Sequence, residues 1–201
     1  MILCMLWGAM MVNQKFHLFG EVILKNKGIM VKNSIKNFFS SEKTDKYFVN
    51  KNKEDCIRYI LDKYSIIIPE IYYEKMSKER KTVHGIDHYI FKIPFVGNKE
   101  YFKLRPVNEC LEIIQEVFIE NCALCFEIID YGLTDQKLVN KHKSIIHLMK
   151  KQAMYIDREI EDYNYNLKIF VEGGYDRKLE KIADRKNKLN KLNLAGKLNQ
   201  N

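Results

Sequence analysis

The sequence predicts an α+β protein in which a small antiparallel sheet with a short helix precedes a long antiparallel helical hairpin. Two observations predict this class. Apolar runs of strand length cluster between residues 66 and 131, and a helical apolar stripe follows in the last third of the chain. Strands and helices therefore occupy separate parts of the chain instead of alternating, which favours α+β over a parallel βαβ fold.

The first 53 residues are expected to hold an apolar start and a polar linker. Residues 1–12 are almost wholly apolar, but they lack the basic flank and cleavage pattern of a signal peptide and are too short to span a bilayer. A buried first strand accounts for this start, and so does a natural translation start at Met11 or Met30. Residues 33–53 are lysine-rich without lasting periodicity, which indicates a linker. We therefore divide the chain into three parts, at 1–53, 54–133 and 134–201.

The middle part is expected to contain one short helix and the sheet. Apolar side chains recur at helical spacing over residues 54–64, and Ser65 is expected to end this helix. Short runs rich in β-branched and aromatic residues predict strands at Ile66–Ile68, Ile86–Phe95, Leu111–Phe118 and Ala123–Tyr131. The last two runs have so short a connection that they should pair antiparallel. The charged segment Met76–Gly85 is expected to be a turn region.

The last third of the chain predicts two long helices. Thr134 is a good N-cap, and apolar residues then recur mostly three, four or seven positions apart on one helical face. The part of this stripe expected to associate with a partner consists of Met149, Ile156, Ile160, Tyr163, Leu167 and Phe170. Gly173 and Gly174 interrupt the pattern before it resumes at Tyr175, so we expect a tight turn there. A first helix over 135–171 would be roughly 55 Å long, so part of the hairpin is expected to project or to pair with another chain.

The charge balance favours a negatively charged partner. The chain carries 34 basic and 26 acidic residues, a net charge of +8, and its sequence pI is near 9.1. Such a surface suits nucleic acid, an anionic membrane or an acidic protein. The alternative is that a lysine-rich coding bias raises the pI without any such partner. No membrane span is expected.

Two basic segments are the candidate contacts to nucleic acid. In the first, basic residues interleave with aromatics, which can bind phosphates while stacking bases; alternatively, the aromatics are core and the basic residues are solvated. In the second, basic residues four, four and three positions apart share one side of the last helix, where Glu180 and Asp184 could pair with them locally. The candidate contacts are Lys92, Lys99, Lys103 and Arg105 in the first segment and Arg177, Lys181, Arg185 and Lys188 in the second.

No catalytic, cofactor or metal signature stands out in the sequence. The five cysteines are an odd number in a chain too large to need disulfides, which is typical of the reducing cytoplasm. Cys122 and Cys125 have redox spacing, but they lie in an expected strand rather than at a helix N-terminus. His84 and His88 are four positions apart, yet the strand pattern around them argues against a shared helical face. We therefore expect no metal and no cofactor, and a binding protein rather than an enzyme.

Two local patterns resemble a known bacterial arrangement. One is Ile93-Pro94-Phe95-x-Gly97 with Phe102-x-Leu104-Arg105-Pro106, and the other is Ile160, Tyr163-Asn164-x-x-Leu167 and Ile182-x-x-Arg185-Lys186-x-x-Leu189. Together, over about Tyr59 to Leu194, they resemble the N-terminal region of uncharacterised bacterial proteins in which an α+β segment and a helical hairpin precede a restriction-endonuclease-like domain. The resemblance implies a recognition or assembly module. The chain stops at Asn201, so the Asp and Glu-x-Lys residues of that domain are not carried over, and a truncated or split product is one form that such a module could take.

Three functions remain open from the sequence. The first is a non-catalytic cytoplasmic interaction module of a bacterial multi-domain or multi-component system, with the hairpin mediating self-association or docking to a protein partner. The second is sequence-independent nucleic-acid binding, or an accessory role in a nuclease system. The third is a metal-dependent nuclease that uses Glu79, which stands two positions before Lys81 in a common nuclease spacing.

Overall fold

The computed structural model describes residues 14–106 and 115–198, with side chains described as far as residue 192. The apolar start and the first half of the strand expected at Leu111–Phe118 lie outside these residues. The fold is α+β, with an antiparallel sheet and a long C-terminal helix. The described residues divide into two compact units, one built from 14–24 with 67–106 and 115–158, and the other from 25–66 with 159–198. This division differs from the one expected at 53/54 and 133/134.

The described strands all belong to the first unit. They are β1 (Phe16–His17), β2 (Val22–Ile23), β3 (Glu70–Ile71), β4 (Ser77–Val83), β5 (Ile86–Val96), β6 (Leu104–Arg105), β7 (Glu116–Glu120) and β8 (Ala123–Asp130). The sheet runs in the order β1-β7-β8-β5-β3, with β4 also paired to β5. All these pairings are antiparallel, whereas β2 and β6 form a separate parallel pair.

The centre of the sheet agrees with the sequence. The strands expected at Ile86–Phe95 and Ala123–Tyr131 are confirmed as β5 and β8, and β7 pairs antiparallel with β8. Two-residue turns connect the hairpins, and all four turn residues have positive φ. Such turns match the right-handed twist of the strands that they join. The turn residues are His84 and Gly85 between β4 and β5, and Asn121 and Cys122 between β7 and β8.

The turn region expected at Met76–Gly85 is wrong, because most of it forms β4. All seven residues of this strand are exposed, so the alternation of apolar and polar side chains that marks a half-buried strand is missing. Its side chains form ion pairs with side chains of the neighbouring strand instead, as Arg80 does with Asp87 of β5. Charged side chains on such a strand also discourage pairing with other chains.

The strand expected at Ile66–Ile68 is also wrong. Asn164 satisfies the backbone of this segment: its side chain accepts a hydrogen bond from the Ile66 N–H at 3.0 Å and donates one to the Ile66 carbonyl at 2.8 Å. Ile67 is 73% exposed. An amide side chain therefore takes the place that a neighbouring strand would occupy, and strand structure begins only at Glu70.

Four α-helices are described: α1 (Leu24–Ser40), α2 (Asp45–Asn50), α3 (Lys53–Tyr64) and α4 (Asp135–Leu198). α3 confirms the helix expected over 54–64, and the Asn52 side chain caps it by accepting a hydrogen bond from the Asp55 N–H. The linker expected over 33–53 is wrong, because α1 and α2 occupy most of it. None of the helices in the described ranges is long and apolar enough to cross a membrane.

The hairpin expected in the last third is wrong, because α4 continues through Gly173 and Gly174 without a turn. Neither glycine has a positive φ. A Cβ atom on Gly174 would lie 2.4 Å from the Phe39 ring of α1. Gly174 is therefore required for the close approach of α1 and α4, and not for a change of chain direction.

Candidate anion-binding cleft

The candidate site lies in the second unit, above a core that α1, α2 and α3 share with the later part of α4. The buried members of this core are Ile35, Phe39, Phe48, Cys56, Ile60, Leu167, Val171 and Tyr175. Ile35 and Phe39 are four positions apart on α1, so both lie on the face turned toward the core. This packing holds α1 against the glycine of α4 and determines which side chains stand at the edge of the contact.

A cleft of about 240 Å³ opens where α1 meets α4. The residues that line it are Lys36, Phe39, Ser40, Phe170, Gly174, Arg177, Lys178 and Lys181. Half of these are lysine or arginine, and none is acidic. The side chains at its edge therefore favour a negatively charged ligand.

Lys178 is neutralised within the protein. Its side chain is 1% exposed, and its Nζ lies 2.5 Å from Oδ1 of Asp45 and donates a hydrogen bond to the Ser41 carbonyl at 2.7 Å. The Lys178 ammonium holds the pKa of Asp45 below its usual range, and Arg185 adds to this effect. A buried ammonium requires such a partner. The ion pair therefore connects α2 to α4, and Lys178 itself adds little net charge to the cleft.

The other three cations of the cleft, Lys36, Arg177 and Lys181, are exposed. In the part of the chain that the structure describes, no carboxylate oxygen lies within 4.0 Å of any of them. Asp176, next to Arg177 in the sequence, pairs instead with Lys53 at 2.7 Å. These three cations are therefore available to a ligand, and we call them the cleft cations.

Aromatic side chains form the rest of the cleft. Phe39 is 9% exposed and lies below Gly174, where its ring fills the space that a Cβ atom would need. Phe170 is half-buried; it packs against the core and also lines the cleft. The Lys32 Nζ lies 5.8 Å from the centre of the Phe170 ring. The cleft thus combines a cationic side with an aromatic wall.

The second predicted basic segment is split by this geometry. Arg177 and Lys181 line the cleft, whereas Arg185 is held by ion pairs to Glu42 and Asp45 at 2.6 and 2.7 Å. Lys188 is exposed further along α4 and does not line the cleft. The carboxylates that pair with Arg185 therefore come from residues far away in the sequence, and not from Glu180 or Asp184, the local alternative.

The first predicted basic segment lies in the other unit, and its cations are partly neutralised. Lys92 lies between Glu79 at 2.9 Å and Glu120 at 2.7 Å, and hydrogen bonds to these carboxylates raise its pKa. Lys103 lies 3.5 Å from Glu100. Lys99 and Arg105 are exposed. The interleaved aromatics Phe91, Phe95, Tyr101 and Phe102 are all buried, so they belong to the core and cannot stack bases.

The predicted association stripe is an internal surface. Met149, Ile156, Ile160 and Leu167 are each at most 1% exposed. Tyr163 and Phe170 are half-buried, and the Tyr163 hydroxyl donates a hydrogen bond to the Tyr64 carbonyl at 3.1 Å. The apolar periodicity does mark one face of a helix, but that face is buried within the chain. These residues therefore offer no large apolar surface to a partner.

Sequence reasoning missed the half of the cleft that α1 provides. Lys36, Phe39 and Ser40 fall in the segment expected to be a linker. Ile35 and Phe39, with their helical spacing, were the available signal, but lysines and asparagines around them hide it. The close approach at Gly174 brings this half of the cleft to α4.

The cysteines and histidines that attracted attention in the sequence form no common site. Cys122 is exposed at a turn, whereas Cys125 is buried in β8, and burial raises its pKa to about 11. His84 lies in the β4–β5 turn, and the Nδ1 of His88 lies 2.7 Å from Glu127. Among the described residues, no group of three histidine, cysteine or acidic side chains is placed to hold a metal ion.

The fold and the cleft define an α+β protein with a basic, aromatic-walled site next to its longest helix. Comparisons with protein-family models, with curated proteins and with solved structures find no match to this chain. The resemblance to proteins that carry a restriction-endonuclease-like domain therefore stays a hypothesis.

Proposed function

We propose that this protein is a cytoplasmic binding module for nucleic acid and that the cleft of the second unit is its contact site. The observation that supports the proposal is the grouping of Lys36, Arg177 and Lys181 around one cleft without a carboxylate to neutralise them. Lysine and arginine bind phosphate oxygens, and such contacts do not depend on the base sequence. The proposed binding is therefore independent of sequence.

The C-terminal part of α4 extends this positive surface. Apart from Lys178 and Arg185, which are held by ion pairs, the helix has five basic residues against three acidic ones over 175–192. Lys188 stands seven positions after Lys181, so it continues the same helical face. A polymer that carries many phosphates can contact several of these cations at once, whereas a small anion cannot.

This proposal replaces self-association as the leading function. The apolar stripe that suggested association is buried in the core of the protein, so its presence needs no partner. The resemblance described above favours the same class of ligand, since it points to an accessory role beside a nuclease domain.

The test is a titration of a fluorescently labelled oligonucleotide, followed by anisotropy, at several salt concentrations from about 50 mM upward. We expect binding that weakens steeply with salt, because each phosphate contact releases bound counterions. Replacing the three cleft cations together by alanine is expected to weaken binding and to reduce the slope of log affinity against log salt by about two to three.

The matched control is the triple replacement of Lys137, Lys141 and Lys143 by alanine. These lysines are exposed on α4 and do not line the cleft, and their loss changes the net charge by the same amount. We expect the control to keep most of the affinity and the salt slope. Equal losses in the two variants, or no binding by the unaltered protein at about 50 mM salt, would refute the proposal.

A further inference from the structure

The cleft residues of α4 follow one another along a single helical face. Phe170, Gly174, Arg177 and Lys181 are spaced four, three and four positions apart, which places them in one row over about 16 Å. The aromatic ring therefore stands at one end of the row and the two cations at the other. Gly174 lies between them and adds no side chain to the floor of the cleft.

The wall of the cleft beside Gly174 is aromatic. The Phe39 ring lies directly under the glycine, at 2.4 Å from the position where a Cβ atom would stand. Phe170 provides a second apolar surface at the side, and Lys36 faces the cleft from α1. A ligand with a flat apolar part and a phosphate could therefore place the first against Phe170 and the second among the cations.

We propose that the cleft selects single-stranded nucleic acid, with one base stacked on Phe170 and the phosphates next to it bound by Lys36, Arg177 and Lys181. This inference rests on the proposed function. Bases of a duplex are already stacked on one another and paired, so an aromatic wall reaches only an unpaired base. Stacking of a base on an aromatic side chain is tolerant of sequence, in agreement with the absence of any base-reading amide or carboxylate among the residues that line the cleft.

The experiment compares three labelled probes of the same length, about 12 nucleotides: a single strand, an abasic strand with the same phosphates, and a duplex. The protein variants are Phe170→Leu, which keeps an apolar side chain without a ring, and the control Tyr165→Leu. Tyr165 is 67% exposed on the same helix and does not line the cleft. Urea unfolding of each variant checks that it folds.

We expect the unaltered protein to bind the single strand more tightly than the abasic strand and the duplex. Phe170→Leu is expected to weaken binding of the single strand about 10-fold and to leave binding of the abasic strand unchanged. Tyr165→Leu is expected to leave all three affinities unchanged. Equal binding of the single and abasic strands, or equal losses for both probes in Phe170→Leu, overturns the stacking proposal while the polyanion site stands.

Absence of binding to all three probes overturns the proposed function itself, so the two failures are distinguishable. A second variant covers the case in which Phe170→Leu does not fold. In Phe170→Trp, the new indole should stack on a base, and its fluorescence should be quenched by the single strand and not by the abasic strand. The natural protein has one tryptophan, so its signal is subtracted from that of the variant. Equal quenching by the two strands contradicts stacking.

Discussion

Gly173 and Gly174 are neighbours in α4, but a side chain at each would meet different surroundings. A Cβ atom at 174 would lie 2.4 Å from the Phe39 ring, which is itself packed in the core. At 173 the nearest atom is Nη1 of Arg177, at 3.3 Å, and this is the end of a flexible side chain. The same change of glycine to alanine therefore has opposite consequences at adjacent positions.

Gly174→Ala is expected to destabilise the protein by about 1–3 kcal/mol, because Phe39 or the helices must move, which outweighs the better helix propensity of alanine. Gly173→Ala is expected to be neutral or to stabilise by up to about 1 kcal/mol, because only the propensity gain applies. Urea denaturation followed by circular dichroism measures both. If Gly174→Ala proved as stable as Gly173→Ala, the close contact between α1 and α4 would be wrong.

Within the first unit, the early part of α4 packs on the aromatic face of the sheet through His142. The His142 ring lies 4.4 Å from the ring of Phe91 in β5 and 6.0 Å from that of Phe126 in β8. Its Nε2 atom is buried and has no hydrogen-bond partner among the described residues. Burial, and secondly the charge of Lys78, lower the pKa of His142 from its ordinary value of 6.5. The contact of helix and sheet therefore favours a neutral imidazole.

Because the pKa of His142 is lowered, we expect the protein to become less stable as the pH is lowered. The unfolded chain takes up a proton at His142 more readily than the folded protein, so this contribution is complete above pH 6.5 and is lost as the pH falls below that value. We expect the urea midpoint to decrease between about pH 7 and pH 5. His142→Phe keeps a ring against Phe91 and should remove much of this decrease.

The control for this prediction is His147→Gln, since His147 is exposed on the same helix. It should show the same pH dependence as the unaltered protein. A decrease that is equally large in His142→Phe would assign the effect to other groups. Carboxylates with lowered pKa values, such as Asp45 and Glu127, lose their contribution at more acidic pH and can be told apart by that range.

For the whole molecule, the distribution of apolar side chains decides between a core and an association surface. Leu167 is 0% exposed in the core of the second unit, whereas Ile169, two positions later on the same helix, is 52% exposed. A stripe that joined two chains would be exposed in each chain alone. The burial of Leu167 by α1, α2 and α3 instead makes the stripe a condition for folding of a single chain.

Leu167→Ala is expected to lower the free energy of unfolding by about 2–5 kcal/mol, because it leaves a cavity. Ile169→Ala is expected to change it by no more than about 0.5 kcal/mol, as a surface substitution. The urea midpoint of the unaltered protein should not depend on protein concentration, because the core residues packed with Leu167 belong to the same chain. A midpoint that rises with concentration, together with a small effect of Leu167→Ala, would restore the association hypothesis.

An element of the fold could be predicted where its own residues carry an apolar pattern. β5, β8 and α3 carry dense apolar patterns of their own, and all three were found. β4 has seven exposed residues and no pattern, and α1 shows its buried Ile35 and Phe39 only among lysines and asparagines. In each of these cases the partner element supplies the stabilising contacts, so the segment alone does not reveal its structure.

The candidate site was only half predictable for a related reason. Arg177 and Lys181 belong to a visible basic helix, but their opposite wall comes from α1, more than a hundred positions earlier in the chain. Gly173-Gly174 has two physical explanations, a turn or a close approach between helices, and only the position of Phe39 decides between them. Long-range contacts of this kind leave no local pattern to detect.

The composition of the two units from separated segments has a consequence for synthesis of the protein. Residues 25–66 leave the ribosome long before residues 159–192, although both are needed for the second unit. The intervening segment, 67–158, belongs to the first unit and can complete its sheet while the earlier helices still lack Leu167, Val171 and Tyr175. Ile35, Phe39 and Phe48 therefore stay without these partners until residues 167–175 have left the ribosome, and apolar side chains exposed for that time make the nascent chain prone to aggregation.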